Sequence, residues 1–571
     1  MPSDPAVTEA IKERLDDFDR QRFGERLFAH DATLWKAGAE HAKVIDNALG
    51  WLSVADDMLS KASDLSGFAA QVGGEGYRDA VLLGMGGSSL APETLRSTFG
   101  VAEGFLDLRI CDSTDPAALR AIEAGLDLSR TLFIVSSKSG GTTETASFHA
   151  YFYERVRELL GADQAGRHFV AITDPETSLH HEALAQGFRA VFLNPPDIGG
   201  RYSALSYFGL VPAALIGLDV QRLLERASQV AALCRDGVPA REHPAFKVGA
   251  ALGELARAGR DKVTFFAGAS IASLGAWLEQ LLAESTGKEG TGLVPVDGEM
   301  PGAPGVYGDD RVFVYLNVEG ETDARAGAAL QALEEAGHPT MTLTLPDIWD
   351  LGAEFVRWES AVAAAGAVLG IDPFDQPNVQ ESKDITKRLL RSYVSDGRLP
   401  DPAAGPGGRP LTCAVGDKDL AAAVRDLLAT IRPGDYVALQ AYLPPSEQHQ
   451  RILQGVRLLL RDRFHVATTL GYGPRFLHST GQLHKGGKPN GVFIQLTCGT
   501  RQDVAIPGQP YTFATLKQAQ ARGDLEALAA RGLRVLSVDL GSDPLPGLTS
   551  FGSVVAELLR TQVERVEQPS G

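Results

Sequence analysis

Cysteine is scarce: four residues in 571, at positions 111, 234, 413 and 498, form neither Cys-x-x-Cys pairs nor a Cys/His zinc spacing. A disulfide framework is therefore excluded, and free or buried thiols in a reducing compartment are expected. Positive charge is also short. With 54 Lys and Arg against 72 Asp and Glu, the net charge of −18 argues against a nucleic-acid surface, which needs a basic stripe. An anionic ligand must then be held by local cations, not by the global field. No long uncharged apolar run is present to span a bilayer, and the start Met1 to Pro5 lacks the basic and apolar parts of a signal peptide, so a cytoplasmic protein is expected. What remains is ordinary for a globular enzyme: 44% hydrophobic, 22% charged, and long enough for two to four domains.

Against that plain background one stretch stands out, Ser137-Lys138-Ser139-Gly140-Gly141-Thr142-Thr143-Glu144-Thr145. The run 131–136 before it reads as a buried strand, and residues 146–160 after it carry apolar residues at helical spacing. Hydroxyls and glycines thus meet at a helix N-terminus, where unpaired N–H groups and the helix dipole favour an anion. A simple capping loop competes with this reading. A nucleotide P-loop does not, because Lys138 precedes the glycines where that motif has Lys after the last one. The candidate phosphate ligands are Ser137, Lys138, Ser139 and Thr142, with Gly87 and Ser88 from the upstream Gly-Met-Gly-Gly-Ser-Ser turn.

The chain-wide rhythm is α/β. Residues 1–65 read as helical, with Trp35 and Trp51 as packing anchors and no evident chemistry. From 66 to 230, strands near 80–84, 108–111, 131–136 and 169–173 alternate with helices, which predicts a doubly wound parallel sheet. Ligands bind such sheets beyond the carboxyl ends of the strands, where both the Gly86-Gly87-Ser88 turn and the phosphate loop would lie. A second alternating unit covers 231–395, with strands at 262–267, 311–316 and 340–345. A Pro/Gly-dense stretch at 395–410 marks a linker, and 411–571 again reads as an α/β module, with strands near 436–442, 466–470, 492–496 and 534–539.

The Ser-Lys-Ser-x-x-Thr-x-Glu-Thr spacing resembles the sugar isomerase (SIS) phosphate loop, and two further segments sharpen the likeness. Asp197 to Ser206, with Gly-Gly-Arg-Tyr-Ser, is similar to the first signature of the phosphoglucose isomerase family, and Phe374 to Lys383 to its second. This resemblance implies two SIS-type domains, an aldose–ketose isomerase acting on a hexose 6-phosphate, no cofactor and no metal, and a homodimer. The extra C-terminal module resembles the isomerase half of bifunctional transaldolase/phosphoglucose isomerase fusions. The N-terminal 65 residues are too few for a transaldolase barrel, so that activity is not expected. A non-catalytic SIS-type sugar-phosphate regulator is the alternative function.

Isomerising an aldose phosphate requires ring opening, removal of the C2 proton, a cation for the growing oxyanion, and return of the proton at C1. By resemblance, Arg201 is the cation facing substrate, and Lys383 lies near the reacting oxygens, although Gln380 stands where the family usually has Glu. Two carboxylates compete as base, with Glu284 preferred over Glu299. Glu284 lies in a Glu-Ser-x-Gly-Lys context at a helix C-terminus, where the dipole raises a carboxyl pKa. Glu299 lies in a Gly-Glu-x-Pro-Gly context resembling that of longer family members. The family's ring-opening histidine should follow the base within a few tens of residues, and none does before His338. The polar segment 478–487 of the C-terminal module is read instead as an active-site loop, with His484 in that role and His478 as its alternate.

Overall fold

A computed structural model describes residues 4–321, 323–406 and 410–567. Its frame is three parallel sheets. The first contains β1 (Asp79–Gly84), β2 (Asp107–Cys111), β3 (Thr131–Ser136), β4 (Phe169–Thr173) and β5 (Ala190–Leu193), in the spatial order β2-β1-β3-β4-β5. The second contains β6 (Lys262–Ala267), β7 (Val294–Val296), β8 (Arg311–Val318) and β9 (Thr340–Leu345), in the order β7-β6-β8-β9. The third contains β10 (Leu411–Ala414), β11 (Tyr436–Tyr442), β12 (Ala467–Tyr472), β13 (Gly491–Thr497) and β14 (Arg534–Asp539), ordered β10-β14-β13-β11-β12. Every pairing is parallel, as crossover helices between successive strands require.

In the first sheet the order reverses between β1 and β3, so the turns that follow these two strands lie side by side. The Ser136 hydroxyl donates to the Ser88 carbonyl across this crevice (3.3 Å). Close approach there depends on Gly87, because a Cβ at that position would sit 1.9 Å from the Gly200 carbonyl oxygen. The absence of a side chain lets the turn dock on the Gly199–Arg201 segment.

Five helices carry the site: α1 (Thr143–Leu160), α2 (Leu274–Thr286), α3 (Val379–Asp396), α4 (Gly481–Gly486) and α5 (Phe513–Ala530). One apolar core runs through the N-terminal helices and the first two sheets, while the third sheet has its own core around Val437, Leu439, Ile494 and Leu536. Two apolar seams join them. In one, Phe148 and Phe152 of α1 and Leu389 of α3 pack with Phe513 and Leu516 of α5. In the other, Ala283, Val294 and Val296 pack with Tyr436, Leu483 and Phe493. Trp35 donates its indole N–H to the Ala363 carbonyl (2.8 Å), and Trp51 stacks on Tyr202 with centroids 5.4 Å apart, so the N-terminal helices brace the segment that bears Arg201.

The four cysteines are free thiols. Among the described residues no helix is long and apolar enough to cross a membrane. Part of the Pro/Gly stretch at 395–410, residues 407–409, lies outside the described residues. One expectation is overturned: segment 478–487 is no open loop. It contains the helix α4, with Gln482, His484 and Lys485 all buried. Their polar atoms find distant partners, chiefly Asp524 and Asn378, which a local reading of the sequence does not reveal.

Candidate functional site

The loop from Ser137 to Thr142 leads from β3 into α1. Thr142 occupies the N-cap position with extended backbone, yet its side chain makes no capping hydrogen bond. Its hydroxyl lies 3.0 Å from the Ser137 hydroxyl. Gly140 has φ of +66°, and a Cβ there would lie 2.7 Å from Thr177 Cβ, so the loop's tight turn requires glycine. The N-terminus of α1 thus lacks a Thr142 cap, and the Glu144 N–H turns to its own carboxylate, which leaves this end suited to an anion. Lys138 takes no part in the cradle. Its ammonium is turned onto the Asp174 carboxylate and the Pro196 carbonyl (2.8 Å).

A cavity of about 220 Å³ opens over this loop, lined by Ser139, Thr142 and Glu144, by Lys383 of α3, and by His478 and Gln520 of the C-terminal region. His478 Nε2 lies 2.9 Å from Glu144 Oε1, and the Gln520 amide donates to the same oxygen (2.6 Å). Burial pushes the Glu144 carboxyl up, but the His478 ring, its hydrogen bond and the Lys383 charge outweigh this and hold it below the usual carboxylate value. Glu144 is therefore an acceptor near neutrality, and Nε2 of His478 must carry the proton between them. Glu144, Gln280 and Gln520 are the residues that sequence reasoning passed over. Glu144 was visible inside the phosphate-loop motif but had no partner in sight.

Arg201 is 1% exposed and holds together three chain segments. Its Nε donates to Ser285 Oγ (2.7 Å), and Nη2 donates to the carbonyls of Pro373 (2.7 Å) and Asp375 (3.0 Å). Nη1 donates to Gln376 and lies 3.8 Å from Glu284 Oε1, the one carboxylate paired with it among the described residues. Glu284, in the last turn of α2, accepts from the Gln280 amide (3.1 Å). That same amide nitrogen donates to the His478 carbonyl (2.8 Å) and so links the Arg201–Glu284 pair to the histidine segment. Gly86 abuts the same place, since a Cβ on it would lie 2.6 Å from the His478 carbonyl oxygen.

The rival carboxylate is differently placed. Both oxygens of Glu299 accept from Arg311 (3.1 and 3.0 Å), and one also accepts from Thr468 (3.1 Å). It forms a buried ion pair with Arg311 of β8, tied to the third sheet through the Thr468 hydroxyl. His484 is likewise away from the cavity. It is packed among Tyr436 and Phe493, with Nδ1 3.4 Å from Gln440, and burial plus the adjacent Lys485 push its pKa well below that of a free imidazole. Of the two histidines only His478 lines the cavity.

A family model described as phosphoglucose isomerase matches residues 54–309. A glucose-6-phosphate isomerase from Rubrobacter xylanophilus is 33% identical over 365 residues, covering 56% of this chain and 84% of that protein. One from Thermus thermophilus is 30% identical over 363 residues, covering 55% and 83%. Among solved structures, a hypothetical protein from Thermus thermophilus, TT0462, superposes with a TM-score of 0.58 at 25% identity, covering 68% of this chain and 99% of that one. A glucose-6-phosphate isomerase from Chlamydia trachomatis has the same fold, with a TM-score of 0.51 at 18% identity over 68% of this chain and 84% of its own. With signatures, fold and relatives in agreement, the chain belongs to the phosphoglucose isomerase family.

Proposed function

We propose that this protein is a glucose-6-phosphate isomerase, interconverting glucose 6-phosphate and fructose 6-phosphate by proton transfer through an enediolate. The observation that carries this reading is the meeting, around one cavity, of an uncapped hydroxyl loop, Lys383 and the His478–Glu144 pair, with Arg201–Glu284 one hydrogen-bonded link away. Each group suits one step. Ser137, Ser139, Thr142 and the N-terminus of α1 take the phosphate, with Gly87 and Ser88 shaping the neighbouring wall. His478, its Nε2–H fixed by Glu144, has Nδ1 left to exchange the ring proton, because an imidazole both donates and accepts near neutrality. The Glu284 carboxylate removes the C2 proton of the open chain and returns it at C1. Arg201 and Lys383 place positive charge at the developing oxyanion, and the backbone carbonyls that hold Arg201 fix it without cancelling its charge.

His478, which lines the cavity, is the better candidate for ring opening than His484. The C-terminal module then completes the active site, and every group named comes from a single chain. The test is a coupled assay of fructose 6-phosphate conversion on the purified protein, with and without EDTA. Turnover undiminished by the chelator is expected, since acid–base groups suffice for each step. Tight sugar-phosphate binding without turnover would instead support a regulatory binding protein.

A further inference from the structure

The proposed isomerase site leaves the carboxyl edge of the third sheet unused, and that edge is hollow. A cavity of about 310 Å³ is bounded by residues of four of its strands, Thr412 of β10, Tyr442 of β11, Gln495 of β13 and Ser537 of β14. A second cavity of about 290 Å³ adjoins it, the two sharing Cys498 and Gly499 just after β13. The strand order of this sheet reverses between β11 and β13, so the paired cavities occupy the place where open parallel sheets take their ligands.

Three observations point to an occupant. Gln495 and Ser537 bring an amide and a hydroxyl to the first cavity, hydrogen-bonded to each other at 3.0 Å. Tyr442, at the end of β11, lines the same cavity at 0% exposure, and its hydroxyl has no hydrogen-bond partner. Each cavity also carries a guanidinium that no carboxylate neutralises among the described residues. Arg522 is held by the carbonyls of Leu399 (3.0 Å) and Pro400 (2.6 Å), and Arg120 by that of Gln502. Asp401, Asp539 and Lys517 also line the first cavity, Lys517 paired with Asp115 at 2.7 Å, which leaves Arg522 there and Arg120 in the adjoining cavity as guanidinium groups without a carboxylate partner in a chain of net charge −18.

We infer that this edge is a second small-molecule site, separate from the isomerase centre, that takes a phosphorylated polyol, its hydroxyls on Gln495, Ser537 and Tyr442 and its anionic group between Arg120 and Arg522. The probe is 6-phosphogluconate, a polyol phosphate whose C1 carboxylate does not isomerise. Calorimetry on the full chain should give two equivalents bound. The double variant Arg120→Gln/Arg522→Gln should lose one of them, with at least a tenfold weaker second affinity, while kcat and KM for fructose 6-phosphate stay unchanged. Hydrogen exchange locates the event: saturating probe should protect residues 495–502 in the parent and not in the variant, and Thr412→Val, on the exposed strand β10, should weaken that protection. The same number of equivalents in parent and double variant, no protection of 495–502, or protection that survives in the double variant would overturn the inference. Equal protection by inorganic phosphate would overturn its polyol part. Stoichiometry and exchange are read without turnover, so a failed isomerase assay would leave this test intact.

Discussion

At the scale of single residues, the two rival carboxylates make opposite predictions. Glu284 accepts one amide hydrogen bond and faces a cation, so Glu284→Gln should keep the fold and substrate affinity and lower kcat by orders of magnitude. Glu299 neutralises Arg311 in the interior, and its removal leaves that guanidinium buried and unpaired. Glu299→Gln should therefore cost about 3–5 kcal/mol of stability, visible in denaturant midpoint, while the folded fraction keeps its kcat. His478 and His484 separate in the same way. His478→Ala should slow turnover of cyclic fructose 6-phosphate yet spare solvent-tritium exchange into a substrate that cannot close, such as erythrose 4-phosphate, whose C4 oxygen carries the phosphate. Glu144→Gln should reproduce part of that defect, since the amide accepts from His478 less strongly. His484→Ala should act through packing alone. Arg201, Glu284 and the phosphate loop stand out in the sequence because they lie in short motifs. The preference for Glu284 over Glu299, and for His484 over His478, rested on motif context alone, because the contacts of these residues with Arg311, Thr468, Glu144 and Gln440 are made across the fold.

At the scale of elements, legibility followed burial. Strands β3, β4, β6, β9, β11 and β14 were readable to the residue from compact, mainly apolar runs. The three strands that escaped, β5, β7 and β10, are all edge strands of three or four residues, and β10 is half exposed, so neither length nor pattern distinguishes them from loop. The helix α4 escaped for another reason. It is short and polar, and it is held by Lys485, which pairs at 2.7 Å with Asp524 of α5, both buried. The Gln440 amide donates to the other Asp524 oxygen (3.1 Å). Asp524→Ala should strand the Lys485 charge, cost about 3–5 kcal/mol, and loosen the segment that presents His478. Faster hydrogen exchange over 478–487 with a raised KM would show that loosening.

At the scale of the whole molecule, the C-terminal unit is joined to the rest through a polar seam as well as apolar ones. Glu279 of α2 and Asp297, which follows β7, line a cavity of about 140 Å³ with Arg457 and Tyr472 of the third sheet's unit. Burial, reinforced by repulsion from Asp297, pushes Glu279 up to about 8, and burial pushes Asp297 up to about 6. A carboxyl whose folded pKa is raised binds more protons in the native state than in the unfolded one, so stability falls as pH rises from the unfolded value through the folded one. The melting temperature should therefore decline between about pH 5 and pH 8 and level above it. Glu279→Gln should flatten that decline. An unchanged slope would mean that the pair is hydrated and ordinary.

The central claim is that one carboxylate, Glu284, moves a proton between C2 and C1 of a hexose 6-phosphate. It is tested most directly by incubating the protein with fructose 6-phosphate in D₂O and following deuterium at C2 of the glucose 6-phosphate formed by NMR. The parent should incorporate solvent deuterium there, whereas Glu284→Gln should bind the sugar phosphate and incorporate none. Incorporation by the Gln variant at the parent's rate, or none by the parent under conditions of turnover, would contradict the account.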